Sequence, residues 1–153
     1  MIIKNALVYT EDHKFEKKDV RIEDERIAEI AENGQITATD EDVIDGEGMY
    51  AIPGLVDIHF HGCKGADMCD GTKEALDVIT AYEASIGVTS VCPATMTIQK
   101  DELLSVMKNA GDYNYHGGAH LVGINMEGPF ISPSKRAHRR QRISCDVIMI
   151  ISV

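Results

Sequence analysis

The first fifty residues alternate between apolar and polar positions over three short runs, at residues 2–10, 19–23 and 26–30. An alternation of period two places the apolar side chains on one face of a β-strand. Polar turns separate the runs, and glycines punctuate the connection that follows them. The pattern predicts a small antiparallel β domain over residues 1–53, similar to a β-sandwich.

From residue 54 onward, apolar runs alternate with segments of helical spacing. Strands are predicted at 55–61, 88–92 and 119–127, and a glycine-rich loop at 62–71 follows the first of them. Thr72 and Thr97 stand where each of two helices would begin, and both are residues that favour the N-cap position. Strands that alternate with helices of this length predict parallel βα units of an α/β fold, in a barrel or an open doubly wound sheet.

Composition narrows the function classes. The chain has 153 residues, of which 44% are hydrophobic and 26% charged, and this balance is typical of a soluble globular protein. Its net charge of −10 argues against nucleic acid and an anionic membrane as partners. No stretch has the pattern of a signal peptide or of a membrane span, which predicts a cytoplasmic location. The four cysteines have no Cys-x-x-Cys spacing, and we expect reduced thiols.

The charge changes sign near the C-terminus. Residues 1–134 contain ten Lys and Arg against 24 Asp and Glu, whereas residues 135–153 contain five against one. The last segment is a basic run followed by an apolar run, and its composition is foreign to the rest of the chain. We interpret residues 135–153 as an atypical tail of the kind that a frameshift or a premature stop produces.

Two histidines follow the first strand of the α/β region. His59 and His61, like Asp57, lie at positions i and i+2, so their side chains are predicted to share one side of the strand. Two imidazoles in this arrangement can hold one divalent cation such as Zn or Fe, given a third ligand from another strand. Such a pair also arises by chance, and exposed histidines are common.

Glu127 ends the third predicted strand and precedes Gly128-Pro129-Phe130. It is either a metal ligand or catalytic base at the mouth of a barrel, or the first solvated residue beyond a buried strand. Because sites in parallel α/β folds lie at the carboxyl ends of the strands, we expect Glu127 to meet His59 and His61. No P-loop, dinucleotide-binding glycine motif or local nucleophile motif competes with this interpretation.

Four segments resemble a known family. The run PGLVDIHFHG at 53–62 resembles the first barrel strand of the amidohydrolase superfamily, whose His-x-His lies inside a (β/α)₈ barrel. The segments TSVCPAT at 89–95 and EGPFISP at 127–133, together with Gly65-Ala66-Asp67, are similar to the N-acetylglucosamine-6-phosphate deacetylases. The resemblance extends from residue 1 to about 138 and implies the first three βα units of a TIM barrel.

The resemblance implies a hydrolase that removes acetate from N-acetylglucosamine 6-phosphate in amino-sugar metabolism. Glu127 matches the metal-binding glutamate of the family, and His59 and His61 match a pair that some members use for a second metal position. The implied cofactor is a divalent metal ion, zinc or iron, which would polarise the acetamide carbonyl and activate water. The implied partner is a small amino-sugar phosphate, and family members are commonly homodimers.

The chain also departs from the family. The remaining metal-ligating histidines, the catalytic aspartate and the phosphate-binding residues lie further along in the family and have no match here. Ala137 and His138 match a substrate-contact position only if a missing glycine is disregarded. Since a (β/α)₈ barrel needs about 250 residues, we expect an incomplete barrel. The competing predictions are a deacetylase by family, a non-catalytic fragment that binds metal weakly, and another amidohydrolase such as a dihydroorotase-like enzyme or an amidase.

Overall fold

A computed structural model describes residues 1–114, 117–130 and 134. The chain forms two compact units, of which the first is Met1–Pro53 and the second begins at Gly54. The predicted tail at 135–153 and the candidate substrate residues Ala137 and His138 lie outside the described residues. No helix in the described part of the chain is long and apolar enough to cross a membrane.

The first unit is a five-stranded sheet. Its first three strands form an antiparallel meander, as the alternating pattern predicts, and the sheet order is β3-β2-β1-β4 with β5 also paired to β1. The core of the unit consists of Ala6, Val8 and Val20. The strands are β1 Ile2–Tyr9, β2 Phe15–Glu23, β3 Arg26–Glu32, β4 Val43–Asp45 and β5 Tyr50–Ala51.

The short strands β4 and β5 occupy the region predicted to be a loop. Both pair with β1 in parallel. They contain three and two residues, which is too few to establish an alternating pattern. These two segments are strands because they pair with β1, which supplies their hydrogen-bonding partners.

The second unit is built from βα units. Three short strands form a parallel sheet in the order β10-β9-β6, and two further strands make a small hairpin. A 3₁₀ helix at Met68–Asp70 follows the hairpin. The elements are β6 Leu55–Asp57, β7 Gly62–Cys63, β8 Ala66–Asp67, α1 Lys73–Ser85, β9 Val88–Val91, α2 Lys100–Gly111 and β10 His120–Leu121.

Two of these strands are shorter than the apolar runs indicate. The predicted strand 55–61 ends at Asp57, and the predicted strand 119–127 is regular only over His120–Leu121. Beyond the carboxyl ends of these strands, single backbone contacts continue the parallel alignment. One of them is the isolated bridge between Ala94 and Asn125. After β6, the alignment with the segment that follows β9 continues to Phe60, whereas the carbonyl of His61 accepts the Met68 N–H of the next segment.

The predicted N-cap is confirmed for α1 and is wrong for α2. The Thr72 hydroxyl accepts the Ala75 N–H and caps α1, as predicted. Thr97 does not cap α2, because the helix begins two residues later with Gln99 at the N-cap. The Thr97 hydroxyl donates instead to the carbonyl of Glu127. The prediction for Thr97 was therefore wrong.

Candidate metal centre

His59 and His61 lie just beyond β6, in an irregular segment between that strand and the β7–β8 hairpin. The Asp57 carboxylate accepts the His59 N–H at 3.0 Å and so closes the turn by which the chain leaves the strand. On the other side, Phe60 O accepts the Ala94 N–H at 2.6 Å. The two histidines are thus held by backbone contacts at the carboxyl end of the parallel sheet.

The ring of His61 has its own anchor. Its Nδ1 lies 3.1 Å from the carbonyl oxygen of Ala94, a residue that is completely buried. The ring of His59 lies near it, with a centroid separation of 5.6 Å and an interplanar angle of 74°. The His61 side chain is 34% exposed and that of His59 is 58% exposed, so one side of the pair is open to solvent.

Two threonines of the segment after β9 hold the backbone of Glu127. The Glu127 N–H donates to Thr95 Oγ1 at 3.2 Å, and Thr97 Oγ1 donates to the Glu127 carbonyl at 3.2 Å. Gly128 follows with a φ of +87°, and a Cβ placed there would lie 2.3 Å from Thr97 Oγ1. The close threonine and the left-handed backbone together explain why glycine follows the glutamate.

The three predicted side chains converge. Glu127 Oε2 lies 3.5 Å from His61 Nε2 and 3.9 Å from His59 Nε2. One ligand atom from each residue can be chosen so that all three lie within 4.8 Å of one another. Ligand atoms about 2.1 Å from a common ion lie no more than about 4.2 Å apart, and both distances to Glu127 meet this condition. The donor set of two imidazoles and a carboxylate fits a zinc or iron ion.

The sequence did not predict two polar residues of this centre, Asn125 and Thr95. Asn125 donates from its side-chain amide to His59 Nδ1 and to the carbonyl of Ile58, and Thr95 accepts from Glu127. Asn125 lies two residues before Glu127, so proximity to the predicted ligand was the only signal available. Thr95 is buried and distant in sequence, and no local pattern relates it to Glu127.

Two of the three described cysteines are poorly suited to act as nucleophiles. Cys63, Cys69 and Cys92 are free thiols, and Cys145 lies outside the described residues. Burial raises the pKa of both Cys63 and Cys69, and the Asp67 carboxylate adds to the shift at Cys69. Since the thiolate is the reactive form, these two side chains are poorly suited to attack a substrate.

One acidic side chain of α1, that of Glu83, also has a shifted pKa. Glu83 is 5% exposed, and burial together with the negative charge of Asp57 raises the pKa of its carboxyl group. The Glu83 carboxylate is not among the ligand atoms that converge at His59, His61 and Glu127. The chemistry of the centre therefore rests on the His59, His61 and Glu127 group.

No protein-family model matches the chain. A curated relative from Lysinibacillus sphaericus, an N-acetylglucosamine-6-phosphate deacetylase, is 31% identical over 138 residues, which cover 88% of this chain and 35% of the relative. An N-acetylgalactosamine-6-phosphate deacetylase of Escherichia coli O157:H7 is 29% identical over 140 residues, covering 90% of this chain and 36% of the relative. The chain resembles the N-terminal third of the N-acetylglucosamine-6-phosphate deacetylases. It thus spans about a third of the length of the curated relatives that it matches.

The crystal structure of N-acetylglucosamine-6-phosphate deacetylase from Pasteurella multocida has the same fold over the matched region. It superposes with a TM-score of 0.85 and covers 96% of this chain and 39% of that one, at 21% sequence identity. The predicted fold class is therefore confirmed. The chain is an α/β protein with a small β domain followed by βα units, and it shares this fold with the matched part of that deacetylase structure.

Proposed function

We propose that this chain carries the metal-binding N-terminal part of a deacetylase that acts on N-acetylglucosamine 6-phosphate. The observation that carries the proposal is the convergence of His59, His61 and Glu127 at the carboxyl ends of β6 and β10, the two parallel strands that flank β9. Sites of parallel α/β folds lie at this end. The similarity to curated deacetylases supplies the substrate class, an acetylated amino-sugar phosphate.

The roles of the three side chains follow from their chemistry. His61 and Glu127 present a ring nitrogen and a carboxylate oxygen 3.5 Å apart, and His59 adds a second imidazole on the exposed side. A divalent ion held there would polarise a substrate carbonyl and activate a water molecule. The exposure of His59 leaves room for substrate on its side of the centre, whereas Thr95 and Thr97 hold Glu127 from the buried side.

A second candidate function is metal binding without catalysis. The three converging side chains support metal binding by themselves, and the chain spans 35% of the length of the Lysinibacillus sphaericus relative. Within the described residues, His59, His61 and Glu127 are the one group of three His, Cys, Asp or Glu side chains with ligand atoms this close. The resemblance assigns the general base to a later strand, so we expect residues 1–153, when tested alone, to bind metal without deacetylation.

Metal binding by the purified chain is the first test. We expect Zn²⁺ or Co²⁺ to bind with one dominant site in calorimetry, and Glu127→Gln or His61→Ala to weaken that binding at least tenfold, which corresponds to about 1.4 kcal/mol. His13→Ala is the matched control, because His13 is an exposed histidine of the first unit. Equal affinity in the Glu127 variant and the parent chain would refute the proposed centre.

Acetate release separates the two candidate functions. The metal-loaded chain is incubated with N-acetylglucosamine 6-phosphate, with its galactosamine counterpart and with dihydroorotate, and products are measured for each. Metal binding without turnover supports the non-catalytic function. Acetate release that Glu127→Ala abolishes supports a catalytic chain, and turnover of dihydroorotate alone would assign a different amidohydrolase activity. Dimerisation and the cytoplasmic location stay predictions.

A further inference from the structure

The Asn125 side chain makes two contacts that fix the direction of its amide. Its Nδ2 lies 2.9 Å from the carbonyl oxygen of Ile58 and 3.0 Å from His59 Nδ1. A backbone carbonyl can only accept a hydrogen bond, so the atom facing Ile58 must be the amide NH₂ group. The NH₂ group has two hydrogens, and these two acceptors use both of them.

This amide sets the proton position in the neutral His59 ring. Because Asn125 donates to Nδ1, Nδ1 must present its lone pair, and the ring proton then resides on Nε2. His61 has the opposite arrangement. Its Nδ1 faces the carbonyl of Ala94, which only accepts, so the proton resides on Nδ1 and Nε2 is free to bind a cation.

We infer that Asn125 is a positioning residue that makes the two histidines unequal. It holds His59 with a proton on Nε2, the atom that faces Glu127, while the Ala94 carbonyl leaves His61 Nε2 ready as a ligand. A bound ion would therefore be held by His61 and Glu127, and His59 would present an N–H donor to groups bound beside it. His59 becomes a ligand through Nε2 only when its contact with Asn125 is given up. The inference rests on the proposed metal site.

Asn125→Asp tests this assignment with a side chain of nearly the same size. A carboxylate accepts where the amide donates, so it would draw the proton of His59 to Nδ1 and leave Nε2 free to bind metal. Carboxylates that contact ligating histidines in this way tune metal affinity by 10-fold to 100-fold. We expect the variant to bind Zn²⁺ about tenfold more tightly than the parent chain.

The tautomers are measured without metal, by long-range ¹H–¹⁵N correlation spectra of the imidazoles at mildly alkaline pH. In the parent chain we expect a protonated Nε2 in His59 and a protonated Nδ1 in His61, and a protonated Nδ1 in His59 of the Asn125→Asp variant. A parent chain with His59 protonated at Nδ1, or a variant in which the proton does not move, would overturn the inference.

A double-mutant cycle separates the tautomer from the added negative charge. Asn125→Asp is combined with His59→Gln, and Zn²⁺ affinity is measured for all four chains. The tenfold gain should vanish when His59 is absent, whereas an equal gain in both backgrounds would assign the effect to charge and overturn the inference. If no chain binds Zn²⁺, the proposed function fails, and the spectra still decide whether Asn125 controls His59.

Discussion

Asp19 is a fully buried carboxylate in strand β2 of the first unit. Burial alone would raise its pKa, but hydrogen bonds from the Asn5 N–H, the Gly34 N–H and the Asn33 side chain outweigh burial and lower the pKa. The donors lie 3.1, 2.9 and 3.2 Å from the carboxylate oxygens. Asn5 has a φ of +63° and interrupts the β1–β2 register. The carboxylate therefore satisfies backbone groups that the sheet leaves unpaired.

This lowered pKa predicts the pH dependence of stability. A carboxyl group with a lower pKa in the folded chain stabilises the fold above its unfolded pKa of about 3.9. The contribution of Asp19 is lost as the pH falls from there through the lower folded pKa. Urea denaturation at several acidic pH values should show a steeper loss of stability for the parent chain than for Asp19→Asn.

Near neutral pH, Asp19→Asn should lower the free energy of unfolding by about 1–3 kcal/mol, because an amide NH₂ would face donors that need an acceptor. Asp12→Asn is the matched control on an exposed turn, and we expect it to change stability little. If both substitutions had the same small effect in urea denaturation, the buried hydrogen bonds of Asp19 would not contribute to stability.

At the scale of elements, α1 connects the first two strands of the parallel sheet and packs through Leu76 and Ile79, both buried. Its start is set by the Thr72 hydroxyl, which accepts the Ala75 N–H at 3.2 Å. The first turn of a helix has N–H groups without helical partners, and the cap satisfies one of them. The position of β9 after the helix depends on where this helix begins.

Thr72→Ala should therefore lower the free energy of unfolding by about 1 kcal/mol, measured by urea denaturation with circular dichroism. Thr72→Ser retains the hydroxyl, and we expect it to preserve stability. Because Thr72 is exposed, loss of buried apolar surface is not a competing explanation. A serine variant as unstable as the alanine variant would contradict the capping role.

At the scale of the whole molecule, the parallel sheet and its flanking segments carry apolar side chains that the described residues leave exposed. Leu55, Val56, Ile58 and Val122 are each more than 50% exposed, although three of them lie in or next to β6, a strand of the sheet. Val91 on the neighbouring strand β9 is completely buried against Val88 and Ala119. The buried and the exposed apolar positions of this sheet should therefore differ in their contribution to stability.

Val91 and Val56 offer a matched pair for measuring this difference. Val91→Ala should cost about 2 kcal/mol, from the loss of two buried methyl groups and the cavity they leave. Val56→Ala should change the free energy of unfolding by less than about 0.5 kcal/mol, because Val56 is 59% exposed. Similar losses for the two valines in urea denaturation would show that Val56 is covered in solution.

The sequence by itself determined the local elements and the chemistry available to the chain. Period-two alternation predicted the meander of β1, β2 and β3, and the cap at Thr72 predicted the start of α1, since these signals depend on neighbouring residues. The residue types His59, His61 and Glu127 predicted a metal site, and the resemblance to the deacetylases agrees with the fold. That they bind metal stays a prediction until it is measured.

Only the tertiary structure decided how distant residues meet. Glu127 comes within 3.5 Å of His61 because the segments after β6, β9 and β10 run in parallel to one end of the sheet, and no local pattern encodes that distance. The short strands β4 and β5 exist through their pairing with β1. Thr97 lies near a helix start by sequence but holds Glu127, and Asn125 sets the proton of His59, because hydrogen-bond direction depends on which acceptors folding places opposite each donor.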